Sequence, residues 1–436
     1  MKRAALLCAA LGIGCGGTQP NEAPPAAASP VAIDSSTTLS VEGRSSATPS
    51  VASAGSLVAV AWGASASGKA DVVVAVSRDS GRTFAAPVYV DASGTARLGG
   101  EFPPRVAVRP AASGRIDEAQ ITVLWTAHSA DLTSIRIAQS RDGGRTFSAA
   151  RELQRNGAPG ARGWPSLAVD TSGAAHAVWL DHRGLAAAGG QSHHHGAASP
   201  AAVDGVAAAL KSGLYYASLD GAAPAEREVA PGVCYCCKTA FAAGPDGALF
   251  SAWRHVYPGN LRDIAFAVSR DSGRSFSAPA RVSEDGWRID GCPDDGPAMV
   301  VDAGGVAHIA WPSVVQGAKT RGAIFYASTR DGVTFTPRVE VPSLGSVKPS
   351  HAQIAIDAEG RMAVAWDEHL DGRRVTAVRA LRRDAEGRVT FGAVLSLASS
   401  DAAYYPALAA IDGGFIAVWT DAGDSSSIGV RTFALE

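Results

Sequence analysis

Four cysteines in the middle of the chain are the residues whose type and spacing best suit chemistry. Cys234, Cys236 and Cys237 form a C-x-C-C stretch, and Cys292 follows farther along. Clustered thiols form disulfides or bind a soft metal such as zinc or copper(I). The spacing differs from the C-x2-C of structural zinc sites, and an export signal indicates an oxidising compartment, so we interpret the four as two disulfides. Zinc or copper is the alternative. Of three open connectivities, one joins Cys234 to Cys292 and Cys236 to Cys237.

Ionisable and aromatic side chains at the ends of the predicted strands form a second candidate set. These strand ends belong to neighbouring repeats, so we expect them to meet around the mouth of a central channel, where a ligand would bind. We place the functional centre near the cysteines, and salt bridges along the rim are the structural alternative. The candidate ligand-binding residues are Arg162, Asp181, His182, Arg183, Arg254, His255, Asp290, Asp367, Glu368, His369 and Tyr405.

A long loop after His182 carries three consecutive histidines, His193, His194 and His195. Such a tract can bind metal, but its Ala, Gly and Ser neighbours are typical of a flexible loop. We interpret the three histidines as part of a solvated polar loop, with a metal site as the alternative.

The elements that must position these residues are short β-strands in a repeated pattern. Each repeat has an apolar second strand that ends in tryptophan, and the spacing of about 60 residues is typical of propeller blades rather than of helical solenoids. Short apolar runs separated by Gly, Pro, Asp and Ser predict an all-β chain. We therefore predict a single seven-bladed β-propeller of four-stranded blades, with six blades as the alternative. The tryptophans are Trp62, Trp125, Trp179, Trp253, Trp311, Trp366 and Trp419.

The last repeat ends after its third strand, Ser427–Phe433, so its outer strand must come from elsewhere in the chain. The segment Thr37–Glu42 precedes the first full repeat and has no partner of its own. Pairing of these two segments would close the ring and remove two exposed sheet edges. We predict this closure.

The turn between the third and fourth strands carries the most specific motif. The stretches Ser77–Phe84, Ser140–Phe147 and Ser269–Phe276 are nearly identical, with the pattern S-R-D-x-G-R-[T/S]-F. The aspartate can accept hydrogen bonds from backbone amides and the glycine can adopt positive φ, so we interpret these turns as structural staples. Each has too few carboxylates for a calcium loop.

These turns resemble the Asp boxes, or BNR repeats, of the sialidase-like β-propeller superfamily. The C-x-C-C-K-T stretch further resembles a pattern of exported bacterial proteins labelled exo-α-sialidase. The resemblance implies the fold more strongly than an activity, because the superfamily includes glycoside hydrolases, glycan binders and assembly factors.

Sialidases of this superfamily use an arginine triad, a tyrosine nucleophile paired with glutamate, and an aspartate acid/base. In this chain the resemblance implies Glu368 as the glutamate and Asp181 or Asp290 as the acid, although the N-terminal F/Y-R-I-P motif is absent. We therefore expect a propeller that binds a glycan, peptide or metal, with a glycoside hydrolase acting on terminal acidic sugars as the alternative. The arginine and tyrosine candidates are Arg105, Arg162, Arg183, Arg254, Tyr404 and Tyr405.

The N-terminus predicts export. Residues 1–15 combine a basic start, a short apolar core and Leu-Gly-Ile-Gly-Cys, which is typical of a lipoprotein signal. We predict a signal in residues 1–14, lipidation of Cys15, a disordered tether in 15–36 and the propeller in 37–436, with ordinary signal cleavage as the alternative. The protein would then be a monomer anchored in the periplasm or at the cell surface. A net charge of −2 and a pI near 6.6 argue against a nucleic-acid partner.

Overall fold

The computed structural model describes residues 32–129, 132–153, 160–187, 205–220, 226–289, 293, 295–316, 320–346, 348–384, 386–398, 402–423 and 425–435. Within these residues, 28 strands form seven four-stranded antiparallel sheets. The prediction of a seven-bladed propeller is therefore confirmed. Six predicted residues of interest, Cys15, His193, His194, His195, Asp290 and Cys292, lie outside the described part of the chain.

The first strand, β1 (Ala32–Leu39), precedes the blades. Blade one contains β2 (Ser45–Ala54), β3 (Leu57–Ala66), β4 (Lys69–Ser77) and β5 (Val88–Asp91). Blade two contains β6 (Arg105–Arg109), β7 (Gln120–Ser129), β8 (Leu132–Ser140) and β9 (Arg151–Glu152). Blade three contains β10 (Arg162–Val169), β11 (Ala175–Asp181), β12 (Gly213–Ser218) and β13 (Arg227–Pro231).

Blade four contains β14 (Ala240–Ala243), β15 (Leu249–Arg254), β16 (Ile264–Ser269) and β17 (Ala280–Arg281). Blade five contains β18 (Ala298–Val301), β19 (Ala307–Val315), β20 (Arg321–Thr329) and β21 (Val339–Val341). Blade six contains β22 (Ser350–Ile356), β23 (Met362–Leu370), β24 (Arg373–Arg383) and β25 (Val389–Ser396). Blade seven contains β26 (Ala403–Ile411), β27 (Gly414–Asp421) and β28 (Ser427–Ala434), completed by β1.

The described helices are short. A 3₁₀ turn spans Ile116–Glu118, and two helices, α1 (Arg183–Ala187) and α2 (Gly205–Leu210), lie in the long connection between β11 and β12. This connection was predicted as a loop, and its two ends are instead helical. None of the helices in the described ranges has the length and apolar character needed to cross a membrane.

The two ends of the chain close the ring. Strand β1 pairs antiparallel with β28, with Leu39 opposite Ile428, and the Leu39 side chain packs into the core between blades one and seven. The predicted closure is correct, but the bounds Thr37–Glu42 are wrong, and the strand takes in residues 32–36 that were assigned to the tether. The strand ends early because the chain turns at Gly43, which has φ +71°. A backbone hydrogen bond of 3.1 Å from Arg44 to Val41 fixes this turn.

The tryptophan repeats form the core between blades. All seven indoles are at most 4% exposed. Trp125, for example, packs with Val74 of the preceding blade. Burial of a large apolar side chain contributes roughly 1.5–3 kcal/mol. This repeated contribution explains why the tryptophan spacing predicted the blades correctly.

The repeated turns between third and fourth strands are held by their own side chains. In blade one, Ser77 Oγ donates to Asp79 and accepts the amide of Gly81 at 2.8 Å. Asp79 accepts the Thr83 amide at 2.9 Å and the Thr83 hydroxyl at 2.6 Å. Burial would raise the pKa of Asp79, but the hydrogen bonds from Ser77 and Thr83 outweigh it and lower the pKa to about 2. The turns are therefore the structural staples that the motif predicted.

Candidate functional site

A pocket of about 560 Å³ opens at one end of the central channel. Because neighbouring strands are antiparallel, the starts of the first strands lie on this face and the repeated S-R-D turns lie on the opposite face. The pocket lies between the loop before β6 and blades five to seven. Its ionisable and aromatic lining residues are Arg97, Glu101, Phe102, Asp295, Lys348, His351, His369, Arg374 and Tyr405.

Two β-bulges aim the central side chains into this pocket. The register of β22 shifts between Ser350 and Gln353 around His351, which has φ +55°. The register of β26 shifts in the same way around Tyr405, which has φ +57°. Left-handed backbone is costly for such residues and tends to occur at functional sites. The bulges bring the His351 and Tyr405 rings to 4.6 Å between centroids, at 66°.

The same bulge recurs in blades one and three. Thr48 has φ +55° and Trp164 has φ +53°, each at a register shift in its first strand. Thr48 lines a neighbouring cavity of about 260 Å³, and the Trp164 ring lies 5.2 Å from Phe102 at the edge of the pocket. Each of the four bulges thus presents one side chain to the mouth.

Three of the bulges share a short sequence pattern that the sequence analysis did not use. The bulge residue precedes a proline, a small residue and an aliphatic residue in Thr48-Pro-Ser-Val, Trp164-Pro-Ser-Leu and Tyr405-Pro-Ala-Leu. His351 lacks the proline and could have been found only by alignment with the other repeats. Gly100 leaves the space for Tyr405, because a Cβ atom at this position would overlap the Tyr405 ring.

Asp367 is the buried anchor of the pocket. Its carboxylate accepts hydrogen bonds from His351 Nδ1 at 2.8 Å, Arg374 Nη2 at 2.6 Å and the Tyr405 amide at 2.7 Å. Burial would raise the pKa of Asp367, but His351 and Arg374 outweigh this effect and lower it. The aspartate is therefore ionised and holds both bulges in place.

His351 is correspondingly favoured in its charged form. Burial alone would lower its pKa, but the carboxylates of Asp367, Asp295 and Glu101 outweigh burial and raise it. Glu101 Oε1 lies 3.7 Å from His351 Nε2, and Asp295 Oδ2 accepts the His351 amide at 2.9 Å. The imidazole thus has an acidic group on each side.

Other polar groups of the pocket remain available to a ligand. Among the described residues, no carboxylate pairs with the side chains of Arg97 or Lys348, and Lys348 is exposed. The Arg97 guanidinium lies 5.8 Å from the centre of the Phe102 ring. Asp295 is 5% exposed, and its Oδ1 atom has no hydrogen-bond partner. The pocket therefore offers two cationic groups and one carboxylate acceptor.

Several predicted site residues accept hydrogen bonds from the tryptophan core. The indole N–H of each blade needs an acceptor when buried, and in three blades the residue two positions later supplies it. Asp181 accepts from Trp179 at 3.2 Å, His255 Nδ1 from Trp253 at 3.4 Å, and Glu368 from Trp366 at 2.8 Å. Glu368 also accepts two backbone amides, those of Leu344 and Ser346, and burial lowers the pKa of His255 to about 4.

Asp181 also forms a salt-bridge cluster in blade three. Its buried carboxylate pairs with Arg162 at 3.1 Å and with Arg183 at 2.6 Å. Arg183 pairs further with Glu226 and stacks over the Tyr215 ring at 4.1 Å. This cluster corresponds to the rim salt bridges that were the structural alternative.

The remaining predicted residues divide between core and pocket. Buried Arg254 donates only to backbone carbonyls in the described structure, those of Asp295, Arg262 and Pro312. His182 packs 5.8 Å from the Trp164 ring. Of the ten candidates that the structure describes, His369 and Tyr405 line the pocket, and Asp367 accepts the Tyr405 amide beside it.

The cysteines form a buried cluster next to the pocket. Cys234, Cys236 and Cys237 are each 1% exposed, and their sulfur atoms lie within 4.8 Å of one another. Cys234 and Cys237 are free thiols whose sulfurs are 3.1 Å apart, well beyond the S–S bond length of about 2.05 Å. The prediction of two disulfides, with a bridge between Cys236 and Cys237, is therefore wrong. The cluster could hold a metal.

Charge and hydrogen bonding distinguish the two free thiols. The Cys237 hydrogen bond, followed by the nearby Arg262 and Arg254, lowers the pKa of Cys234 to about 7. Burial raises the pKa of Cys237. The Asp295 amide faces Cys237 while its carboxylate holds the His351 amide. Asp295 therefore connects the cysteine cluster to the pocket.

No protein-family model and no curated protein matches this chain. Solved structures do match it. A protein of unknown function from Dyadobacter fermentans is 13% identical, with 93% of this chain and 99% of that chain covered and a TM-score of 0.51. A PL25 ulvan lyase bound to -[GlcA(1-4)Rha3S]- is 12% identical, with coverage of 90% and 95% and a TM-score of 0.53. This chain has a seven-bladed β-propeller fold.

A sialidase, Hadza microbial Hz136, is 18% identical over 88% of this chain and 74% of its own, with a TM-score of 0.48. At such identities a structural likeness establishes the fold alone. The seven sheets themselves confirm the propeller architecture that the repeated turns implied, and function depends on the site.

Proposed function

We propose that the protein binds an acidic carbohydrate in the pocket around His351 and Tyr405. The observation that carries the proposal is the pair of cationic groups, Arg97 and Lys348, that no described carboxylate neutralises. A sugar carboxylate would form charge-assisted hydrogen bonds with them. Asp295 Oδ1 can accept a sugar hydroxyl, and the Tyr405 ring provides an apolar face.

The size of the pocket and the nature of its structural neighbours support the same ligand class. A volume of about 560 Å³ lies within the range of small-molecule sites, roughly 300–1,000 Å³. The neighbouring ulvan lyase is bound to a chain that contains GlcA, an acidic sugar. We propose a glycan, rather than a peptide, as the ligand. The hydrogen-bond acceptor of Asp295, the two cationic side chains and the Tyr405 ring lie together in one pocket.

The same pocket could instead hydrolyse terminal acidic sugars, as the resemblance to sialidases implied. A tyrosine and a glutamate do meet here, since Tyr405 and Glu101 both approach His351. However, burial raises the pKa of Tyr405, so its phenol stays protonated and is a poor nucleophile. Binding is therefore the function that the geometry supports best, and hydrolysis of a fluorogenic sialoside by purified protein would overturn this choice.

Calorimetric titration tests the binding proposal. Oligosaccharides ending in glucuronate or sialate should bind, and neutral counterparts should bind more weakly. R97Q and K348Q should each weaken binding about 10- to 100-fold, corresponding to roughly 1.5–3 kcal/mol for a hydrogen bond to a charged group. R82Q, on the exposed opposite face, is the matched control. Equal binding of acidic and neutral glycans, or of a cationic peptide alone, would refute the proposal.

The proposal further places the protein outside the cytoplasm as a lipid-anchored monomer, supported by the sequence of residues 1–15. Membrane contact would be through the lipid alone. Substitution C15S should move the protein from the membrane fraction to the soluble periplasmic fraction. If the wild-type protein is already soluble after lysis, lipidation is refuted while export remains testable by signal cleavage.

The cysteine cluster is proposed to contain one disulfide and a site for zinc or copper(I). Cys236 is disulfide-bonded while Cys234 and Cys237 are free thiols, so we infer that Cys292 is the partner of Cys236. Thiol counting on the denatured protein should then find two free thiols in the mature chain. Four free thiols would refute the disulfide.

A further inference from the structure

We infer that Cys234 and Cys237 form a two-thiolate site for copper(I), with Arg262 as the group that balances its charge. This inference rests on the proposed metal site and specifies its ligands and its metal. It is independent of carbohydrate binding in the pocket.

The two sulfurs are already adjacent and shielded from solvent. Cys234 and Cys237 are 1% exposed, and their Sγ atoms are separated by 3.1 Å. Cys236 Sγ lies farther from Cys234, at 3.9 Å. A small adjustment of the two free side chains would place a metal ion between them.

A buried positive charge points at this pair. Arg262 is 0% exposed, and its Nη1 atom lies 3.3 Å from Cys234 Sγ. Its Nε donates to Asn260, and its Nη2 has no hydrogen-bond partner. No salt bridge to Arg262 exists within the described ranges. A buried guanidinium requires a nearby anion. The thiolate of Cys234, which Arg262 contacts, can be that anion.

The charge balance favours copper(I) over zinc. Binding of Cu⁺ releases one proton from each thiol and forms two S–Cu bonds, which leaves a complex of net charge −1 with no change of oxidation state. The single positive charge of Arg262 neutralises that complex. A structural zinc ion takes four N or S ligands, whereas the described cluster contains three cysteines, of which Cys234 and Cys237 are the free thiols. Soft thiolates select copper(I), which accepts a lower coordination number.

The test is an anaerobic titration of the full mature protein with Cu⁺, using bicinchoninate as the competing chelator. One copper ion per chain should bind, with a new thiolate-to-copper absorption band in the ultraviolet. C234S and C237S should each lose at least about 100-fold in affinity. The double variant C236S/C292S is the matched control and should retain the copper, since it removes the proposed disulfide without freeing a further thiol and leaves both proposed ligands in place.

Arg262 is tested as a positioning residue. R262Q should weaken Cu⁺ binding about 10- to 100-fold, as expected for a group that supports the ligands, while R262K should restore most of it. Circular dichroism and thermal unfolding report whether each variant is folded. Absence of copper from a folded wild-type protein overturns the inference, whether or not glycans bind. Equal loss in C236S/C292S, or Zn²⁺ binding as tight as Cu⁺ binding, also overturns it.

Discussion

His351 Nδ1 lies 2.8 Å from Asp367 Oδ2, and this pair joins strands β22 and β23 beside the pocket. The aspartate also accepts the Tyr405 amide from blade seven. One buried carboxylate thus fixes two bulges on adjacent blades. The shape of the pocket therefore depends on the charge of Asp367.

His351 should make the stability of the protein depend on pH. Burial lowers its pKa, but Asp367 and the other nearby carboxylates outweigh burial and raise it above the ordinary value. The resulting stabilisation is fully present below the unfolded pKa of about 6.5 and is lost as the pH rises through the higher folded pKa. Urea unfolding of wild type and H351N should therefore differ more at about pH 5.5 than at about pH 9.5.

Asparagine is the suitable replacement because it tolerates the left-handed backbone at this position. V333A, which changes an exposed residue without a titratable group on the opposite face, is the control and should show the same difference from wild type at both pH values. A difference for H351N that is constant or grows with pH would contradict the assigned charge.

Replacement of Asp367 by asparagine should affect stability and binding together. The change leaves His351 and Arg374 without their buried anion, and breaking such a group typically costs about 3–5 kcal/mol. D367N should also weaken glycan binding, because the Tyr405 bulge loses its acceptor. Denaturant unfolding and calorimetry measure the two effects. The control D384N alters an exposed salt bridge to Arg388 and should cost less than about 1 kcal/mol.

The blades were predictable because each one buries a tryptophan at the same position of its second strand. A tryptophan that must be shielded at equivalent positions, such as Trp62 and Trp311, marks the second strand directly in the sequence. The pocket was harder to predict from the sequence, since it combines a loop at Arg97 with bulges at His351 and Tyr405 that are distant in sequence. A bulge changes the direction of a side chain without changing the apolar pattern around it.

Charged residues after the tryptophans have a structural role that the sequence analysis did not assign to them. Asp181 and Glu368 were predicted as ligand-binding because ionisable groups at strand ends often are. Both accept the indole N–H of the tryptophan two positions earlier. The need of a buried indole for an acceptor could have suggested this role from sequence, but the direction of the side chain required the structure.

Removal of the closing strand should destabilise the propeller. Deletion through Leu39 exposes the edge of β28 and removes the Leu39 side chain from the core between blades one and seven. Loss of that side chain alone costs about 2–5 kcal/mol, so thermal unfolding should begin at a lower temperature and aggregation should increase. Deletion of residues 1–31 alone is the matched control. Equal thermal stability of the two truncated proteins would show that β1 is dispensable.

Asp181 should contribute to stability without contributing to glycan binding. Its carboxylate is 1% exposed and serves Arg162, Arg183 and the Trp179 indole. D181N would leave two arginines without this partner, with an expected cost of about 3–5 kcal/mol. Its position in blade three does not border the pocket, so folded D181N should bind acidic glycans with wild-type affinity. D367N, by comparison, should lose both properties. A loss of binding in D181N at temperatures where denaturant unfolding shows it folded would instead favour the earlier prediction that Asp181 belongs to the ligand site.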